Sequence, residues 1–246
     1  MYDPLEPIIS RSDTWRGMES NHPLQTLRIS ANSDWHALDV LPTGFDALDN
    51  QLALGGWPMM GCIEFLTDGN GMGAMGLMLP TMEKLGTQPR WLAFIAPPNT
   101  PYAPLLAARG IPTEQVLIVH PKNREELLWA TEQAIRSTTC SAVFSWLGAA
   151  DYRYAELRRL QLAATENDTL SVVFRHREAA EKHTPACLRL MSRGYRRIDI
   201  LKQRGGKPIS DIVIEPDNDV PTQPQLWELP SETFRTRTGH YLTPVA

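Results

Sequence analysis

Apolar residues recur along this chain in two rhythms, and the alternation of those rhythms outlines the fold. Phe45, Leu48 and Leu52 fall on one helical face, Thr43 with Asp46 three later resembles a helix-starting cap, and Gly55-Gly56 stops the helix. Residues 61–66 (Gly-Cys-Ile-Glu-Phe-Leu) form a short apolar strand. A glycine-rich turn at 68–73 follows, then an apolar stretch at 74–85 that Pro80 should kink or end early. The middle continues with an apolar strand at 91–96, a helix at 102–109 stopped by Gly110, and an apolar run at 116–120. Asn123 with Glu126 caps a helix whose inner face is Leu127, Leu128, Thr131, Ala134 and Ile135. A strand at 142–147 leads to a helix at 151–164. That helix turns Leu157, Leu160 and Ala164 inward and carries Arg153, Arg158 and Arg159 on its flanks.

Strands are also expected at 170–174, 188–191, 196–201 and 212–215. Apolar strands alternating with helices predict an α/β fold with a mainly parallel sheet covered by helices on both faces. The late strands follow one another without helices and predict an antiparallel extension. Residues 1–37 read as a loose amino-terminal arm, with a short helix near 24–29. Residues 38–215 read as the core, and 216–246, rich in Pro, Thr and Asp, as a flexible tail.

With 24 Lys+Arg, 28 Asp+Glu and 42% apolar side chains, wholesale disorder is excluded. No apolar run reaches the roughly 18 residues of a membrane span. The first ten residues lack the basic start and apolar segment of a secretory signal. Cys62, Cys140 and Cys187 lie far apart, which fits a reducing cytoplasm better than a disulfide scaffold. Charge is uneven: residues 1–68 carry ten acids and three bases, and residues 151–207 carry seven acids and thirteen bases. The basic segment faces nucleic acid or an acidic partner, or is a solvated face balanced by the acidic amino-terminal part.

The 61–66 strand, glycine turn and apolar stretch are laid out like a phosphate-binding loop. That motif uses backbone amides to wrap phosphates, a lysine to neutralise them and a hydroxyl to hold magnesium. Here Asp68, Gly69, Gly71, Gly73, Ala74 and Met75 make a degenerate version. Ala74 stands at the lysine and Met75 at the hydroxyl, and Asp68 adds negative charge where a triphosphate would sit.

Leu41-Pro-Thr-Gly-Phe-Asp-Ala-Leu-Asp49, Gly55-Gly-Trp-Pro-Met-Met-Gly61 and the order of elements through 207 resemble the RecA recombinase core. The resemblance implies a RecA-like mainly parallel sheet. The residues that would activate water and hold metal are replaced by Pro97-Pro98-Asn99 and by Val143-Phe144-Ser145-Trp146. The expectation is therefore a pseudo-ATPase: not an enzyme, with no catalytic residue, cofactor or metal.

Trp91-Leu-Ala-Phe-Ile-Ala-Pro-Pro98, Leu157-Arg-Arg-Leu160 and Leu201-Lys-Gln-Arg-Gly-Gly206 resemble the ImuA family. That resemblance implies a damage-inducible, SOS-response adaptor of mutagenic translesion DNA synthesis and repair. Its implied partners are an ImuB-like protein, an error-prone DnaE-type polymerase and RecA itself. Residues 78–175 also resemble SulA, the division inhibitor that blocks FtsZ, and an inhibitor acting on FtsZ is the alternative. A RecA-like ATPase with atypical nucleotide ligands is the second alternative.

Arg153, Arg158, Arg159, Arg175, Arg177, Lys182, Lys202 and Arg204 are candidates for contact with DNA or a protein partner. Tyr102, on a proline-stiffened loop, and Trp227, in the tail, are candidate docking residues.

Overall fold

The computed structural model describes residues 14–16, 40–68, 72–194 and 196–215. The tail with Trp227, the 24–29 helix, Gly69 and Gly71 lie outside them.

The backbone builds one nine-stranded sheet in the order β1-β6-β5-β7-β8-β4-β9-β10-β11. Its strands are β1 (Thr14–Arg16), β4 (Cys62–Thr67), β5 (Trp91–Ile95), β6 (Val116–Val119), β7 (Cys140–Gly148), β8 (Leu170–His176), β9 (Leu188–Gly194), β10 (Arg197–Gln203) and β11 (Ile209–Val213). A small antiparallel pair, β2 (Val40–Leu41) with β3 (Trp57–Pro58), stands apart. The run from β6 to β9 is parallel, and β10 and β11 add on antiparallel. The antiparallel extension thus starts one strand later than expected, because β9 pairs parallel with β4. Part of the expected loose arm also joins the sheet, since β1 pairs antiparallel with β6.

Helices cover both faces. On one lie α1 (Asp46–Asp49), α2 (Met72–Met75), α3 (Leu79–Leu85) and α4 (Ala103–Ala108); on the other, α5 (Arg124–Arg136) and α6 (Tyr154–Glu166). The strands obey a period of two: Ile63 and Phe65 pack under the first layer, and Cys62 on the opposite side of β4 packs under the second. Asn123 caps α5 as expected, its Oδ1 accepting from Glu126 N at 2.8 Å. Two local expectations change. Pro80 does not end its helix but sits in the first turn of α3, where its missing N–H leaves no bond unmade. Thr43 is not the cap of α1; its buried hydroxyl accepts from Phe45 N at 3.1 Å and the helix begins after Phe45.

The Lys202-Gln-Arg-Gly-Gly206 element is a structural clasp. Gln203 accepts from Ala53 N at 2.7 Å and donates to Gln51 O and Lys207 O, tying the loop after α1 to β10. A Cβ on Gly206 would collide with Gln203 and Ala53.

Candidate functional site

In a parallel sheet the carboxyl ends of the strands are where ligands gather. Here that edge carries the degenerate phosphate loop. Asp68 follows β4, and its carboxylate meets Arg177, which follows β8, at 2.7 Å. Ala74 and Met75, which replace the lysine and the hydroxyl, are 3% and 7% exposed and belong to the core under the first helix layer. Beneath them lies an aromatic stack. Trp146 packs on Phe174 at 4.7 Å and on Phe94 at 6.3 Å, and Phe65 adds to Phe174 at 6.0 Å. The end of β7, where an acid was looked for, thus contributes an indole to an apolar floor. No set of three or more His, Cys, Asp or Glu among the described residues is placed to hold a metal.

The other face of the same strands holds a buried ionic cluster that sequence reasoning missed. Glu64 on β4 is fully buried between Arg175 on β8, whose Nη1 donates to Oε1 at 2.6 Å, and Arg189 on β9, whose Nε sits 2.7 Å from Oε2. Burial pulls the Arg189 guanidinium below its ordinary pKa, and the Glu64 carboxylate opposes that pull. Arg189 also donates to the carbonyls of Ala179, Ala180 and Lys182, so it fixes the 3-10 turn that presents Arg177 and Lys182. Arg124 and Arg175 lie over the Tyr152 ring at 4.7 and 5.9 Å from its centroid, and the Tyr152 hydroxyl donates to Leu147 O. One signal was legible: a lone acid inside Cys62-Ile-Glu-Phe-Leu66, a strand apolar on both faces, demands a buried cation.

The candidate cations do not form a free basic surface. Arg175 is 3% exposed, so it is not a surface contact. Arg153 pairs with Glu156, Arg159 with Glu132, Arg177 with Asp68 and Lys182 with Asp151. Lys202 donates to Thr184 O. Arg158 and Arg204 are exposed and make no ion pair among the described residues. At the β10–β11 edge the cations are also paired: Arg197 meets Asp211 at 2.8 Å and Arg193 meets Asp199 at 2.5 Å.

Tyr102 is 66% exposed, just before α4. Ala96, at φ 53, turns the chain sharply out of β5 into Pro97-Pro98. That conformation costs an alanine about 1–2 kcal/mol, and the sheet holds it through Ala96 N donating to Val119 O at 2.8 Å. The loop that aims Tyr102 outward therefore starts from a strained, fixed point.

All three cysteines are buried, and none is in a disulfide. Burial raises the Cys62 thiol to about 12 and the Cys187 thiol to about 11. Neither thiol is expected to react with iodoacetamide at pH 8 in the folded chain, and both should alkylate after denaturation. Mass spectrometry of labelled peptides checks this; rapid native labelling of either one contradicts the packing described.

Comparison with known proteins follows the same core. A family model for the cell division inhibitor SulA matches residues 60–171, from just before β4 to the start of β8. The cell division inhibitor SulA of Edwardsiella piscicida is 30% identical over 122 residues, which are 49% of this chain and 71% of that protein. SulA of Pectobacterium atrosepticum is 30% identical over 105 residues, 43% of this chain and 62% of that protein, less than two thirds of its length. The crystal structure of SulA from Pseudomonas aeruginosa is 26% identical and covers 46% of this chain and 97% of that one, with a TM-score of 0.37.

These relatives correct the main functional expectation. The family model and the curated relatives bear the name of a division inhibitor, which overturns the reading as a translesion-synthesis adaptor that joins an ImuB-like protein, a DnaE-type polymerase and RecA. DNA repair, mutagenesis and a pseudo-ATPase role fall with that reading, and the SOS response fits only in part. The likeness noted over 78–175 was the informative one. With 30% identity across 71% of a curated relative, this chain belongs to the SulA family.

Proposed function

We propose that the chain inhibits cell division by binding FtsZ, without turning over a substrate. The observation that carries this is the span of the SulA likeness, which takes in the central β4–β8 part of the sheet with α2 to α6. The proposal includes a RecA-like core at 38–215, supported by the strand order and by the turn after β4, and an arm and tail at 1–37 and 216–246. In that core the phosphate site has become packing: Ala74, Met75 and Trp146 occupy an apolar layer. A cytoplasmic location accompanies the reading, and among the described residues no helix is long and apolar enough to cross a membrane. Within the family we place the chain beside the longer, ImuA-like forms in build, because β9–β11 and the Gln203 clasp lie beyond the matched span.

Tyr102, at 66% exposure on its proline-stiffened loop, is the contact residue of this reading. A rigid aromatic loses little entropy on docking, and such residues carry much of a typical interface's energy. Purified FtsZ with GTP, followed by light scattering and pelleting, tests it. Stoichiometric chain should suppress polymer, and Tyr102→Ala should raise the half-inhibitory concentration about tenfold. Polymer that persists under excess chain rules the proposal out.

A further inference from the structure

The end of β10 and the turn that leads to β11 bring three cations to one corner of the sheet, and among the described residues none of them meets an acid. Lys202 donates to Thr184 O at 2.9 Å, and Arg204 and Lys207 are exposed with no ion pair. Arg204 N donates to Cys187 O at 3.0 Å, which fixes the turn against the start of β9. Burial raises the Cys187 thiol while Lys202 and Arg204 oppose that rise, so both cations stand at this corner. Residues 182–210 hold eight Lys and Arg and one acid, Asp199, which Arg193 already occupies. Two large apolar side chains border the cations: Leu54 is 51% and Met60 44% exposed. Ala53 N donates to Gln203, which sets Leu54 beside the turn. Met60 precedes Gly61, where an added Cβ would meet Cys187 Sγ at 3.0 Å. The corner is a shelf of cations with an apolar rim.

The sequence that follows β11 carries the inverse pattern. From Glu215 to Glu232 there are five acids, Glu215, Asp217, Asp219, Glu228 and Glu232, and no Lys or Arg. Leu226, Trp227 and Leu229 set large apolar side chains beside Glu228. The length also suffices. β11 (Ile209–Val213) carries the chain about 13 Å away from the shelf, and an extended chain recrosses that distance in about five residues. Trp227 follows Glu215 at more than twice that spacing. A phosphate backbone would satisfy the cations alone, whereas an acidic segment with aromatic and aliphatic side chains matches the rim as well.

We propose that the chain's own acidic segment, 215–232, docks on this shelf, with its carboxylates facing Lys202, Arg204 and Lys207 and with Trp227 against Leu54 and Met60. While docked, the segment withholds the corner from other acidic or phosphate-bearing partners. Carbodiimide joins amines to carboxylates in contact, and peptide mass spectrometry locates the links. In the full chain at about 1 µM and low salt, links from Lys202 and Lys207 to Glu228 or Glu232 are expected. A mixture of unlabelled and heavy-isotope chains should give them without mixed pairs, which marks them as intrachain. Salt at about 0.5 M should cut their yield about threefold or more, because exposed charges are screened. Cleavage at Glu228 and Glu232 by a glutamate-specific protease reads the same contact without a reagent. Arg204→Glu with Lys207→Glu, and separately Trp227→Ser, should each speed that cleavage about fivefold. Arg204 and Lys207 are exposed, and matching thermal melts establish that the variants fold. Absence of the links overturns the proposal, and so do links that are all of mixed isotope, which place a second copy on the shelf. Cleavage indifferent to either variant overturns it too. So does a single-stranded oligonucleotide that binds through Arg204 and Lys207 and leaves the cleavage rate unchanged.

Discussion

Glu64→Ala is expected to destabilise the chain by about 3–5 kcal/mol, the cost typical of leaving a buried charge uncompensated. The substitution leaves Arg175 and Arg189, 3% and 5% exposed, facing each other with no anion between them. It also loosens Arg189, whose guanidinium holds the turn over Arg177–Glu181 through three carbonyls. Urea denaturation followed by circular dichroism reads the loss. The informative control removes all three charges at once, as Glu64→Met with Arg175→Met and Arg189→Leu. Desolvating three ions offsets most of their mutual attraction, so the triple variant should lie within about 2 kcal/mol of the parent. A single Glu64→Ala change that costs under about 1 kcal/mol is incompatible with the cluster described.

The second large effect belongs to the aromatic floor. Phe174→Ala should cost about 3–5 kcal/mol by the same measurement. Phe174 is 2% exposed and touches both Trp146 at 4.7 Å and Phe65 at 6.0 Å, so its removal opens a cavity that two large rings border. Phe174→Leu keeps most of the volume and should cost clearly less. Near-ultraviolet circular dichroism should also fall in Phe174→Ala, because Trp146 loses the ring that holds it. This edge of the sheet is thus expected to behave as core. A nucleotide pocket at the same place would tolerate the change better and lose ligand binding instead.

Much of the sheet was legible before the fold was seen, because strand and helix periodicity is a local property. The 61–66 run became β4, the Asn123–Glu126 cap started α5, and Gly110 followed α4 at φ 71. The loss of the phosphate-loop lysine and hydroxyl was equally plain, since it depends only on which residues stand in one short segment. The functional reading erred because it weighted short matches, such as the Gln203–Gly206 element, that are a clasp in the fold. The likeness along the 60–171 span carried more information than any of those segments.

What the amino-acid order determined by itself was the list of elements, their caps and breaks, and the chemistry missing from the turn after β4. Only the tertiary structure decided which charges meet. Glu64 and Arg175 are 111 residues apart in the chain, and neither position announces the other. Parallel strands are joined by long crossovers, so neighbours in the sheet are strangers in sequence. For the same reason a cation run that looks like a nucleic-acid face by composition is mostly spent on acids brought in from other strands and helices. Charge pairing depends on distance in space, and the folded backbone alone sets that distance.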